Sequence, residues 1–109
     1  MPSILNSALA PAVGQTVTTL YTAPTSPATT ATVIGLTCSN TTVNAQHASV
    51  WLNRGSTKCS IITNGPVPVG NTLACVGGEG KIIMQPGDFL TAQLDVGTAD
   101  FIVSKLEQS

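Results

Sequence analysis

Seven prolines and ten glycines are spread along the 109 residues. They leave little room for a long helix, because proline removes a helical hydrogen bond and glycine costs backbone entropy there. The stretches between them alternate apolar and polar at a period of two, and no stretch repeats at 3.6. In Thr30 to Cys38 the alternation puts Ile34, Leu36 and Cys38 on one face and Val33, Gly35 and Thr37 on the other. His47 to Asn53 divides in the same way, with Ala48, Val50 and Leu52 against His47, Ser49, Trp51 and Asn53. Phe89 to Asp95 places Leu90, Ala92 and Leu94 together, and Asp100 to Leu106 carries apolar groups on both faces.

Further strands are predicted at 17–22, 58–63, 72–76 and 81–85. Turn chemistry separates the runs: Asn40-Thr41-Thr42, Gly77-Gly78-Glu79-Gly80, Pro86-Gly87-Asp88 and Val96-Gly97-Thr98. Arg54-Gly55-Ser56-Thr57 reads as a hairpin link. The proline-rich Asn64 to Gly70 suits an edge or a crossover, since proline cannot donate to a central ladder. About eight short strands without a helix give an all-β chain, a single antiparallel β-sandwich of jelly-roll-like type. It occupies residues 17–109. Residues 1–16, uncharged and interrupted by Pro2, Pro11 and Gly14, read as an extended N-terminal arm.

Charge is scarce. Only nine residues, 8% of the chain, carry a formal charge, against roughly 25% in an average soluble domain. Sixteen threonines and nine serines partly replace them. The net charge of −1, with Arg54, Lys58, Lys81 and Lys105 scattered, gives no electrostatic footprint for nucleic acid. A surface so poor in ions lacks the usual resistance to association. No apolar run approaches the roughly 20 residues that span a bilayer, so no membrane partner is expected. The N-terminus lacks the basic and uninterrupted apolar parts of a secretory signal, which suggests synthesis in a reducing cytoplasm. Cys38, Cys59 and Cys75 lie too far apart for a zinc motif, are odd in number, and are expected to be buried free thiols.

Residues for catalysis are few. His47 is the single histidine, so any triad must use it; a strand-end position beside asparagines favours an exposed residue instead. Asp95 and Asp100 flank one turn, yet two carboxylates fall short of the six or more oxygens of a calcium site, and both are expected to be solvated. The run Val76 to Lys81 lacks phosphate-loop spacing and reads as a turn. No catalytic, cofactor-binding or metal-binding residue is therefore expected. Trp51 and Phe89 are out of phase with the core-facing residues beside them. They are contact anchors on the outer face, residues covered by the arm, or core residues of strands whose phase is inverted. Ile4, Leu5, Leu9 and Val13 would let the arm lie on an adjacent subunit.

Three blocks of this chain resemble a family. Leu20-Tyr21-Thr22-Ala23-Pro24, Thr30 to Leu36 with Asn40-Thr41-Thr42, and Pro66 to Leu73 followed by Lys81 to Leu90 are similar to small β-sandwich virion proteins of tailed bacteriophages. The resemblance covers roughly residues 17–106. It implies a non-enzymatic particle component made in the host cytoplasm and located in the virion. The expected function is a capsid decoration (cement) protein, homo-oligomeric with three copies favoured, that clamps adjacent major capsid subunits. A tail, neck or baseplate part is the alternative, with tail proteins as partners. A carbohydrate-binding sandwich, using Trp51 and Tyr21 as stacking platforms, is more distant.

Overall fold

The computed structural model describes residues 3–25, 28–76 and 81–108. The turn expected at Gly77 to Gly80 lies outside the described residues. Nine strands follow in chain order: β1 (Ser3–Val13), β2 (Thr18–Thr22), β3 (Thr30–Asn40), β4 (Gln46–Arg54), β5 (Thr57–Val67), β6 (Thr72–Val76), β7 (Ile82–Met84), β8 (Phe89–Leu94) and β9 (Ala99–Gln108). They form two antiparallel sheets. One has the order β1-β9-β3-β6, with β7 also pairing with β3; the other has the order β2-β8-β4-β5. The chain is an all-β, two-sheet sandwich, and no helix occurs among the described residues.

The arm expected over residues 1–16 is for most of its length a strand. From Ser3 to Ala10, β1 pairs residue by residue with β9, Ser3 opposite Gln108 and Ala10 opposite Phe101. The sequence Ser-Ile-Leu-Asn-Ser-Ala-Leu-Ala alternates imperfectly, so only the long-range partner at the other end of the chain reveals it as a strand. Pro11 and Ala12 (φ 53°) then form a bulge, and Val13 re-enters opposite Ala99. The turn Val96-Gly97-Thr98 also differs from a simple hairpin, because β8 and β9 belong to different sheets and the turn carries the chain between them.

The core lies between the sheets. Val33, Leu36 and Cys38 from β3, Ala48 and Val50 from β4, Leu90, Ala92 and Leu94 from β8, and Phe101 and Val103 from β9 are all buried there. The apolar residues expected to face the core in β4 and β8 do so, with Leu52 half-buried, while Ser49, Asn53 and Thr91 on the opposite face are buried as well. In β3 the alternation breaks: a register shift between Val33 and Gly35 turns both Val33 and Leu36 inward and leaves Ile34 37% exposed. A bulge adds one residue to a strand and so inverts the phase beyond it. At the open end of β3, Asn40 fixes the turn. Its Nδ2 donates to the carbonyls of Asn44 (2.8 Å) and Val67 (3.0 Å), and its Oδ1 accepts from the Thr42 N–H (2.8 Å).

The cysteines divide. Cys38 is buried and Cys75 half-buried, whereas Cys59, on the edge strand β5, is exposed. The expectation of three buried thiols fails at Cys59 because an edge strand leaves one of its flanks uncovered. Burial, with smaller contributions from Cys75 and Asp100, pushes the Cys38 thiol up to about 12, and burial pushes Cys75 up to about 11. The thiolate is the reactive form. One thiol is expected to react with a disulfide reagent within seconds in the native protein, and all three after denaturation. Fast native reaction of two or more thiols would contradict this arrangement.

Candidate functional site

The outer face of the five-stranded sheet is built by cross-strand register. Leu5 stands opposite Leu106, Leu106 opposite Thr32, and Thr32 opposite Ile83. Two residues along, Ser7, Ser104 and Gly35 form a second row. A third row runs Leu9, Ile102, Thr37 and Ala74. Exposure is high for Leu5 (69%), Leu9 (71%), Ile83 (57%) and Ile102 (43%). No charged side chain stands in these three rows, since Lys105 is buried and Glu107 reaches Tyr21 between the sheets. With strands about 4.8 Å apart and 3.4 Å per residue, the face measures roughly 20 by 20 Å. This area of mixed apolar and hydroxyl surface falls within the roughly 300–600 Å² of the largest patch on a typical monomer, a patch that is often functional.

Leu5 and Leu9 thus lie on an exposed face, but as part of their own sheet and not of a free arm. Val13 is 2% exposed and belongs to the core, so it is not a contact residue. It turns inward because the bulge at Pro11 and Ala12 resets the strand's phase. The backbone of Ile4 pairs with Glu107, and its side chain lies outside what is described. Trp51 and Phe89 lie on the other sheet, half-buried and outside the core cluster. Trp51 is opposite Thr91 and Phe89 opposite Asn53, which makes the two aromatics diagonal neighbours. Lys58 Nζ sits 4.0 Å from the Trp51 ring centroid. This cation–π contact occupies one face of the ring.

Tyr21 does not share that surface. Its hydroxyl donates to Glu107 Oε2, and Lys105 Nζ lies 4.5 Å from its ring and 3.9 Å from the same carboxylate oxygen. Burial and the Glu107 hydrogen bond hold its hydroxyl well above the usual phenol range. Alternation from Phe101 and Val103 does place Lys105 and Glu107 between the sheets. The apolar Ile102 and Leu106 on the opposite parity hide that signal in the sequence.

A polar pocket of about 270 Å³ lies where β4 begins and β8 ends, lined by Gln15, His47, Ser49, Asn64, Gln93, Leu94 and Asp95. Asp95 binds His47 twice, through the backbone N–H (2.8 Å) and Nδ1 (3.0 Å), and also accepts the Val96 N–H (2.8 Å). These bonds hold its carboxyl below the usual carboxylate range. A carboxylate that fixes an imidazole is half of a triad, yet Ser49 is committed elsewhere. Its hydroxyl accepts the Asn64 N–H (3.0 Å) and is directed at Asn64 Oδ1 (3.5 Å). Gln15 closes the group, donating to the Gly97 carbonyl (2.7 Å) and accepting from Gln93 Nε2 (2.7 Å). The cluster fastens the β1–β2 link to the opposite sheet. Asp100 does not join Asp95; it accepts the Ala12 N–H (2.9 Å) and so holds the bulge of β1. No group of three metal-ligating side chains occurs among the described residues.

The molecule therefore belongs to the class of small antiparallel β-sandwiches, with an exposed, largely apolar and hydroxyl-lined area on one sheet face. No protein-family model matches this chain, and comparison with curated proteins and with solved structures gives no match either.

Proposed function

We propose that this chain is a non-enzymatic structural protein of a tailed-phage virion, a head decoration protein that joins adjacent major capsid subunits. The observation that carries this reading is the three adjoining rows on the outer face of the β1-β9-β3 sheet that hold no charged residue, bordered by Asp100. Covering the exposed part of Leu5, Leu9, Ile83 and Ile102, which is 43–71% of each, contributes about 1–2 kcal/mol per side chain, and rows without charges lose no ion hydration on being covered. Strand order supports it further. The pairs β4–β5, β3–β6, β2–β8 and β1–β9 nest outward from one hairpin, the order of a ribbon wound into a jelly roll, an architecture that viral capsid proteins share with lectins and cupins. The sequence blocks resembling virion sandwiches point the same way.

Counting copies per particle by gel densitometry tests the reading. Hundreds of copies, and heads that break at lower temperature when the protein is omitted, are expected. A few copies confined to the tail would replace the decoration reading with the tail alternative. Ile102→Lys, which puts a charge on the face without touching the core, should abolish incorporation while leaving the circular dichroism spectrum unchanged. Normal incorporation of this variant would show that the face is not the contact.

A further inference from the structure

The sheet edges are unequal. β2 is five residues long and broken by a register shift between Thr19 and Tyr21. β6 and β7 have five and three residues. β5 is long but carries Lys58 and Pro66, with Asn64 at φ 51° and two register shifts along its pairing with β4. Short length, charge, proline and bulges are the usual devices that keep an edge from recruiting another strand. β1 has none of them from Ser3 to Ala10: no charge, no proline, and an unbroken register with β9. β9 occupies one side of β1, and among the described residues no strand occupies the other. Alternate backbone N–H and C=O groups of this segment therefore point away from the sheet.

We infer that β1 pairs antiparallel with β1 of a second copy of this chain, about a two-fold axis at Ser7. The residue pattern selects this partner and register. Centring on Ser7 sets Leu5 opposite Leu9 of the second copy, Ser7 opposite its own counterpart, and Leu9 opposite Leu5, all on the outer face. Moving the axis one residue to either side sets a leucine opposite Ser7 and breaks both apolar pairs. Matched apolar neighbours on one face are what fixes register in an antiparallel pair. No charge lies on either strand to oppose the approach. The contact is isologous and uses up the one unguarded edge of each copy, so assembly by this route stops at two. The two outer faces join into one wider sheet. This inference concerns the isolated chain and stands apart from the virion reading, which the copy count tests separately.

Sedimentation of the purified protein should give twice the 11.1 kDa chain mass at micromolar concentration. Ser7 is exposed, so Ser7→Lys and Ser7→Asp should each remain folded yet weaken self-association by about tenfold or more at low salt. An equimolar mixture of the two should restore the dimer. In a Cys59→Ser background, Ser7→Cys should form a disulfide-linked dimer on mild oxidation, because opposed residues have Cα atoms about 4.5–5.5 Å apart, within disulfide reach. A monomer at 100 μM (order of magnitude), a trimer, or a dimer indifferent to both charge variants would overturn the inference. So would failure of the Ser7→Cys variant to cross-link if the charge variants do not fold.

Discussion

Phe101→Ala should cost about 3–5 kcal/mol of stability, a large share of the roughly 5–15 kcal/mol available to a domain of this size. Phe101 heads the fully buried side chains and is 1% exposed. It projects from β9, which has β1 on one side and β3 on the other, opposite Ala10 and Cys38. Its neighbours in those ladders cannot close over the space, because hydrogen bonds on both sides of β9 hold the backbone in place. The lost ring contacts then become a cavity. Ile102→Ala serves as the control, one residue along and on the exposed face. It should cost well under half as much, since a 43% exposed side chain has less transfer energy to lose. Urea denaturation of the two variants measures both. Equal costs would mean that β9 presents the wrong face to the core.

Asp88→Ala should be the second large loss, about 2–3 kcal/mol, because a buried carboxylate here ties the end of β4 to the β7–β8 turn. Its side chain is 2% exposed. It accepts Arg54 Nε at 3.0 Å and Nη2 at 2.8 Å, and the Gln85 N–H at 2.9 Å. Its own carbonyl accepts the Ala23 N–H at 2.8 Å, so the β7–β8 turn, the end of β4 and the exit from β2 meet at this residue. Arg54 is 60% exposed and water replaces much of what it supplies, so Arg54→Ala should cost less than Asp88→Ala. The Arg54 hydrogen bonds, followed by that from Gln85, hold the Asp88 carboxyl below its ordinary value near 3.8. Its contribution is complete above the unfolded-state value and is lost as pH falls through the lower folded-state value. The stability gap between wild type and Asp88→Asn should therefore be constant near neutrality and shrink below about pH 4. A gap that widened in acid would reverse the sign of this coupling.

Most strands were legible because their signal is local. Leu90, Ala92 and Leu94 alternate cleanly, and Arg54-Gly55-Ser56-Thr57 announces the β4–β5 hairpin; Gly55 indeed takes the positive φ (59°) that such a link needs. What the sequence conceals is long-range. β1 is defined by its pairing with β9, almost the whole chain away, so its prolines and imperfect alternation suggested an arm. The Val33/Gly35 bulge cannot be read from β3 alone, because it depends on where β9 places Ser104 and Lys105. The candidate face was legible only in part. Leu5 and Leu9 were visible as apolar residues, but Ile102, Leu106, Thr32 and Ile83 became their neighbours only through the register of four strands. Val13 was misplaced for the same reason that β1 was.

The pairing of β1 with β9 also sets a timetable. Ser3 and Gln108 are partners, so the first of the nine strands is completed by the ninth. During synthesis β1 leaves the ribosome with no strand to bind, and waits until nearly the whole chain has followed. β3 meets β6 and β7 earlier, but its long ladder with β9 also waits. Such distant pairings close slowly, since the entropy of a long loop is lost before any contact compensates. The β1-β9-β3 half of the five-stranded sheet therefore closes only once β9 is made, and a nascent chain that stalls before Ala99 leaves β1 unpaired.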